Sequence, residues 1–248
     1  RSCCVGGLGA LDTELPDARV HHFPVALHPP TLDPTLRDLP GRTLELLGYI
    51  GFDRASACVQ RALRYLKATQ EEDGSWYGRW GVNYTSGTWS ALTGLNAACL
   101  RASDPVMQRA AKWLIEIQNE DGGWGEDCDS YRLDYSGYRR APSTASQTAW
   151  ALLGLMAAGE VDHASVERGI RYLEAKQGAD GSWPQEHYTG GGFPRVFYLR
   201  YHGYPQFFPL WAVARYRNPT AGTSRPVAHG LLRPPSSLHV GPRGDDRP

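Results

Sequence analysis

The chain has 248 residues, with 26 basic and 26 acidic side chains and a formal net charge of zero. This length allows one large domain or two small ones, and the balanced charge argues against a nucleic-acid partner because there is no basic excess to neutralise phosphates. The longest apolar stretch, residues 149–159, falls well short of the ~20 residues that a bilayer-spanning helix needs, so no span is predicted.

The cysteines and aromatic residues narrow the class of protein further. Five cysteines occur, at Cys3, Cys4, Cys58, Cys99 and Cys128. Their odd number and scattered spacing are typical of neither a disulfide framework nor a zinc site, which favours a reducing compartment. Eight Trp and thirteen Tyr stand against six Phe. This excess suits a cavity lined by flat rings, although composition alone favours an ordinary core.

The sequence of residues 1–43 indicates a degenerate remnant of a repeat unit followed by an irregular loop. Residues 6–12 read GGLGALD, which is similar to a worn copy of the glycine turns found later in the chain, with Leu8 in place of Trp. The stretch that follows contains several prolines together with His21 and His22. We expect this histidine pair to be solvated rather than bound to a metal.

From residue 44 to residue 217 the sequence repeats one unit: a helix, an acidic glycine turn with Trp, and a second helix. The turns read QEEDGSW from residue 70, QNEDGGW from residue 118 and QGADGSW from residue 177. Residues 54–70, 104–118 and 163–177 precede the turns with helical patterns, and residues 86–99 and 144–159 follow them with small, apolar ones. Strand signals are almost absent.

The helix at residues 104–118 has the clearest pattern. One helical face is apolar, at Val106, Ala110, Trp113, Leu114 and Ile117. Asp104 is predicted as its N-cap and Pro105 as its first helical residue, because a proline there loses no intrahelical hydrogen bond.

The three turns predict structural links between successive helices. The glutamine at the end of each first helix can bind backbone groups that have no intrahelical partner, and the Asp-Gly pair reverses the chain. The Trp then covers the turn and the start of the next helix. The residues assigned to this structural role are Gln70, Trp76, Gln118, Trp124, Gln177 and Trp183.

Helical hairpins in series either continue as a solenoid or close into an α/α ring. Three such pairs and a fraction are too few for a six-pair ring. The predicted fold is therefore all-α, an incomplete α/α ring of helical hairpins. The tail from residue 218 to residue 248 is dominated by Pro, Gly, Ser and Arg, and we expect it to be disordered.

The chain resembles the C-terminal portion of bacterial squalene–hopene cyclases, which are class II triterpene cyclases. The resemblance rests on the Trp-containing turns (QW-type repeats) and on GSWYGRWGVNY, DGGWGEDC, STASQTAWALLGL and HYTGGGFPRVFYLRYHGYPQFFPLWAVARY. It extends from about Gly6 to Tyr216 and is strongest after Leu44. It implies an α/α barrel (toroid) with a large apolar cavity, monotopic association with the inner face of the cell membrane, and cyclisation of squalene or a similar linear isoprenoid to a hopanoid. It implies neither a metal nor an organic cofactor.

The resemblance also defines what the chain lacks. Members of the family start the reaction with an Asp of a DxDDTA motif, which is absent from this sequence; the nearest string begins at Asp12. In the family the motif precedes the region that matches Gly6. The resemblance therefore implies that the chain begins after the catalytic acid, contains no catalytic residue and is inactive without a partner that carries the acid half. The expected protein partner is an N-terminal cyclase half or, as a homo-oligomer, further copies of the chain.

The resemblance assigns six positions to the substrate cavity: Trp80, Phe193, Phe197, Leu199, Tyr201 and Tyr204. Trp80 matches a cavity Trp, although it could be one more turn aromatic. Phe193 and Phe197 match a Phe pair that the family places near the cations of the late rings. Leu199 matches a residue that shapes the cavity. Tyr201 and Tyr204 match Tyr residues that support the cavity wall. Spacing alone predicts instead that the four aromatic positions form one stripe of a core helix.

Other positions depart from the family pattern. Arg42 occupies the position where many members have a His that supports the acid; its guanidinium could pair with a carboxylate but does not titrate near neutral pH. Ser86 replaces a Tyr near the acid, whereas Asp33 and Asp38 are kept. Pro40 is expected to interrupt the start of a helix.

Two further chemistries and one further function fit parts of the sequence. Glu126 and Asp127 could be the paired carboxylates of a glycosidase, but a polar turn explains them better. Asp127, Cys128 and His187 could mimic the zinc site of protein prenyltransferase β subunits, without further ligand pattern. The alternative function is a non-catalytic isoprenoid-binding or scaffold protein of the α/α class.

Overall fold

The computed structural model describes residues 38–131, 137–193 and 195–220. The N-terminal remnant up to residue 37, including Leu8, His21, His22 and Asp33, lies outside this description, as does the tail from residue 221. Seven α-helices form the described part: α1 Asp38–Tyr49, α2 Ala57–Ala68, α3 Tyr84–Ala97, α4 Pro105–Glu116, α5 Ala145–Ala157, α6 Ala164–Lys176 and α7 Tyr204–Thr220.

Four helices form an inner layer and three lie outside it. The inner helices α1, α3, α5 and α7 pack in succession, and α2, α4 and α6 flank them. Helices α3 and α5 are buried around almost their whole circumference, which suits their small, apolar sequences, whereas the outer helices bury one face only. No described helix meets the length and hydropathy needed to cross a bilayer. The predicted helical hairpins are confirmed.

Local sequence explains how the helices begin and how closely they pack. The Asp104 side chain accepts a hydrogen bond from the Val106 amide at 3.0 Å, with Pro105 in the first turn of α4, so the predicted cap is confirmed. Helices α1 and α3 touch through backbone, since a Cβ added at Gly41 would overlap the carbonyl oxygen of Ser90.

The three repeated turns share one geometry. The indole N–H of each turn Trp donates to a carbonyl near the end of the preceding outer helix, at 2.8–2.9 Å. The amide of Gln70 donates to the carbonyls of Gly74 and Val106, and that of Gln118 to those of Gly122 and Ser165. These glutamines thus join their own turn to the first turn of the next outer helix, in one case at α4 and in the other at α6.

Two short antiparallel hairpins lie in the connections. Strand β1 (Trp124–Glu126) pairs with β2 (Arg140–Thr144), and β3 (Gly190–Phe193) pairs with β4 (Phe197–Leu199). The helical stripe expected from spacing alone is therefore wrong, because Phe193 and Phe197 face each other across a hairpin. The glycine run before Phe193 disfavours a helix.

The start of α1 also differs from expectation. Pro40 lies within the first turn of α1, which begins at Asp38. A proline at this position removes no intrahelical hydrogen bond and therefore does not interrupt the helix. Helix α1 spans the boundary expected between residues 43 and 44.

Candidate functional site

A cavity of about 260 Å³ lies where the N-terminal halves of the four inner helices meet the turn at residues 79–82. Three sequence-predicted residues line it: Arg42 from α1, Trp80 from the turn and Tyr204 from α7. Asp38 and Ser86 line it too. Asp38, which matches the family pattern, and the two departures from it, Arg42 and Ser86, therefore face the same space.

The remaining predicted cavity residues lie elsewhere. Tyr201 is next to the cavity, with its ring centroid 4.7 Å from that of Tyr204. Phe197 and Leu199 lie on β4 and do not line the cavity, and the Phe197 side chain is exposed. Phe193 is placed by its backbone pairing with Phe197. The structure thus brings Arg42, Trp80 and Tyr204 together in the cavity wall and places Tyr201 beside them. The two residues of β4 lie outside this wall.

Three rings that the sequence analysis did not select dominate the cavity wall. Trp89 of α3 and Trp150 of α5 stack with centroids 5.9 Å apart and planes 3° apart. Phe208 of α7 meets both edge-on, at 5.3 and 5.5 Å. A signal for the two indoles exists in the sequence, because Trp89 in WSALTGL and Trp150 in WALLGL each precede a small, apolar run with a glycine in successive inner helices.

Asp38 connects the cavity turn to α1. Its carboxylate accepts hydrogen bonds from the backbone amides of Arg79 at 2.9 Å and Trp80 at 3.1 Å, and from that of Leu39 at 3.0 Å. Burial raises the pKa of this carboxyl above its ordinary value, although the three amide donors oppose the shift.

Two arginines and one glutamate lie close together beside the cavity. The Arg42 guanidinium lies 4.3 Å above the Trp89 ring centroid and pairs with Glu45 at 3.1 Å. Burial lowers the pKa of Arg42, and the Glu45 carboxylate opposes this shift. Arg215 of α7 is 4.0 Å from the same carboxylate, so Glu45 lies between two cations.

Glu126, Asp127 and Cys128 do not line this cavity. The buried carboxylate of Glu126 accepts hydrogen bonds from the amides of Tyr84 and Thr85, at the start of α3. Burial raises the pKa of the Cys128 thiol to about 12. Asp127, Cys128 and His187 do not form a metal-ligating cluster, and no such cluster of His, Cys, Asp and Glu occurs elsewhere in the described ranges.

Comparisons with known proteins agree with the arrangement of the helices. The sequence model described as squalene-hopene cyclase C-terminal domain matches residues 2–218. The chain is 53% identical over 227 residues to squalene–hopene cyclase of Bradyrhizobium diazoefficiens, which covers 91% of this chain and 34% of that protein. It is 52% identical over 224 residues to squalene–hopene cyclase of Zymomonas mobilis, and this match covers 90% of this chain and 34% of that protein. The chain therefore spans about a third of the length of these relatives.

One solved structure shows the same fold at low sequence identity. A type II terpene cyclase from Scytonema, determined in complex with merosterolic acid A, superimposes with a TM-score of 0.52. The match covers 75% of this chain and 49% of that chain at 19% identity.

Proposed function

The chain belongs to the squalene–hopene cyclase family, and from this premise we propose that it supplies one wall of a cavity in which squalene, or a similar linear isoprenoid, is cyclised to a hopanoid. The observation that carries the proposal is the group of aromatic rings around one cavity: Trp80, Trp89, Trp150, Tyr204 and Phe208. Residues 44–217 form this cyclase portion.

The chemistry explains why aromatic rings suit this role. Squalene has no polar group, so burial against apolar surface supplies its binding. Protonation of an alkene generates carbocations, and the face of an aromatic ring stabilises a nearby cation by roughly 0.5–2 kcal/mol without reacting with it. In this proposal Trp80 and Tyr204 face developing cations, and the Glu45 carboxylate partly neutralises the positive charge of Arg42.

The proton donor has to come from another polypeptide segment. The DxDDTA motif that supplies it in the family does not occur in the 248 residues. We therefore expect no turnover by the chain alone, and activity when a segment with that motif completes the cavity. We also propose that the assembled protein lies peripherally on the inner face of the membrane, from which an apolar substrate can enter.

A chimera tests this function. The chain replaces the matching third of the Bradyrhizobium diazoefficiens cyclase, and squalene products are separated by gas chromatography. We expect cyclised triterpenes from the chimera and none from the 248-residue chain. Hopene formed by the chain alone would show that the acid lies within it. A folded chimera that binds squalene without converting it would favour a non-catalytic isoprenoid-binding or scaffold role.

A further inference from the structure

The turn that carries Trp80 is held by a tyrosine from a distant part of the chain. We propose that Tyr131 is a positioning residue for the cyclisation, because its hydroxyl fixes the backbone on both sides of Trp80. The inference rests on the function proposed above. Tyr131 ends a short 3₁₀ helix, Cys128–Tyr131, and its side chain is buried.

The hydrogen bonds around Trp80 define the contact. The single hydroxyl proton of Tyr131 is shared between the carbonyl oxygens of Arg79 at 3.0 Å and Gly81 at 2.8 Å. These carbonyls belong to the residues immediately before and after Trp80. The Trp80 side chain is itself 37% exposed, so packing around the indole constrains it less than it does the buried Trp residues. Backbone hydrogen bonds therefore carry much of its placement.

Other elements hold the same turn through other backbone groups. The Asp38 carboxylate accepts hydrogen bonds from the backbone amides of Arg79 and Trp80. The Gly191 amide of β3 donates to the Trp80 carbonyl at 2.8 Å. The approach of β3 is close, since a Cβ at Gly191 would overlap the Arg79 carbonyl oxygen. The Gln147 side chain of α5 also donates to the Val82 carbonyl of this turn, at 3.3 Å. Among these contacts of the described residues, that of the Tyr131 hydroxyl reaches the carbonyls directly before and directly after the indole.

The surroundings of Tyr131 keep it in place as a donor. Its ring stacks against Tyr198 of β4 at 5.9 Å and meets Tyr77 edge-on at 5.7 Å. Burial raises the pKa of its hydroxyl well above the ordinary value, so the proton stays on the oxygen. Loss of the hydroxyl would leave two carbonyls without this donor and allow the turn to shift. A small shift of a cavity ring changes which cation it faces, and positioning errors of about 1 Å are costly in catalysis.

Hydrogen exchange on the 248-residue chain tests the contact without any cyclase activity. The variant is Tyr131→Phe, which keeps the ring, and the matched control is Tyr172→Phe, another buried tyrosine, whose hydroxyl donates to the Ser143 carbonyl at 2.8 Å. Loss of one buried hydrogen bond should speed amide exchange about tenfold in the peptide that contains residues 79–82. The control should leave this peptide unchanged. Unaltered exchange in Tyr131→Phe would overturn the proposal.

Product analysis in the chimera tests the consequence for the reaction. We expect Tyr131→Phe to raise the share of incompletely cyclised products at an unchanged KM, with Tyr172→Phe retaining the original product ratio. An unchanged product ratio in an active Tyr131→Phe chimera would reject the positioning role. If the unsubstituted chimera is inactive, the proposed function has failed, whereas the exchange result still decides whether Tyr131 holds the turn.

A second variant covers the case in which Tyr131→Phe does not fold. Gly191→Ala places a methyl group against the Arg79 carbonyl and moves the turn while the Tyr131 hydroxyl is retained. It should raise the share of incompletely cyclised products in the same direction. A folded Gly191→Ala chimera with the original product ratio would contradict the dependence of the reaction on this turn.

Discussion

Glu126 accepts two hydrogen bonds from Thr85, one from its amide and one from its hydroxyl, both at 2.8 Å. The pair joins strand β1 to the first turn of α3 across 41 residues of sequence. The carboxylate therefore occupies the position of a helix cap, where it satisfies amides that have no partner within the helix and favourably meets the helix dipole.

Removal of this cap should destabilise the fold. Glu126→Ala leaves the amides of Tyr84 and Thr85 buried without their acceptor, and we expect the free energy of unfolding to fall by about 1–3 kcal/mol. Urea denaturation followed by circular dichroism measures the change. Glu120→Ala, in an exposed turn position, serves as the control and should stay within about 0.5 kcal/mol of the unsubstituted chain. Equal effects of the two substitutions would argue against the capping role.

The buried carboxyl of Asp38 predicts a pH dependence of stability. Burial raises its pKa above the model-peptide value of 3.8, so the folded state holds the proton more tightly than the unfolded state does. The contribution of Asp38 to stability is then largest below pH 3.8 and declines as pH rises through the folded-state pKa. In a pH series of urea unfolding, the free energy of unfolding of the unsubstituted chain relative to Asp38→Asn should decrease with rising pH. A difference that stays constant would be inconsistent with a raised pKa.

The repeated glutamines should differ in importance. Gln118 connects its turn to α6 through the Ser165 carbonyl, whereas the Gln177 side chain is exposed and donates to the Gly181 carbonyl of its own turn. We expect Gln118→Ala to cost about 1–3 kcal/mol of unfolding free energy and Gln177→Ala less than about 0.5 kcal/mol. Thermal or urea unfolding of the two variants, which carry the same chemical change, provides the comparison. A larger loss for Gln177→Ala would refute the order.

The apolar faces of α1 and α7 predict association of the isolated chain. Leu46 of α1 is 57% exposed, and Phe207 and Leu210 of α7 are 72% and 62% exposed. Such faces are usually covered by a partner, so we expect oligomers in size-exclusion chromatography with light scattering. The double substitution Phe207→Ser with Leu210→Glu should shift the chain toward monomer. A monodisperse monomer without substitution would contradict this expectation.

The helical hairpins could be predicted because each carries its own local signals. Asp104 and Pro105 mark a helix start, and the Gln, Asp-Gly and Trp pattern marks each turn. The β3–β4 hairpin could not be predicted in this way, because Phe193 and Phe197 have a spacing that fits a helix as well as a strand pair. The glycines that decide between them show their effect only through backbone pairing across the hairpin.

The cavity could be predicted in part. Trp80 and Tyr204 match family motifs, but Trp89 and Trp150 occur within helices that are buried almost all round. Periodicity does not distinguish a ring that lines a cavity from one that fills a core, since both are apolar and inward-facing. Only the packing of α7 across α3 and α5 leaves space beside these two indoles.

The turn glutamines have a consequence for exchange between related genes. Gln70 and Gln118 bind the next unit through the backbone carbonyls of Val106 and Ser165, and every residue type provides such a carbonyl. The donor half of this joint is thus indifferent to the side chains of the next unit. The acceptor half is not, because the amide oxygens of Gln70 and Gln118 accept hydrogen bonds from Arg109 of α4 and Arg168 of α6. A hairpin taken from a homologue should therefore keep this joint when its outer helix supplies an arginine at the place of Arg109 or Arg168.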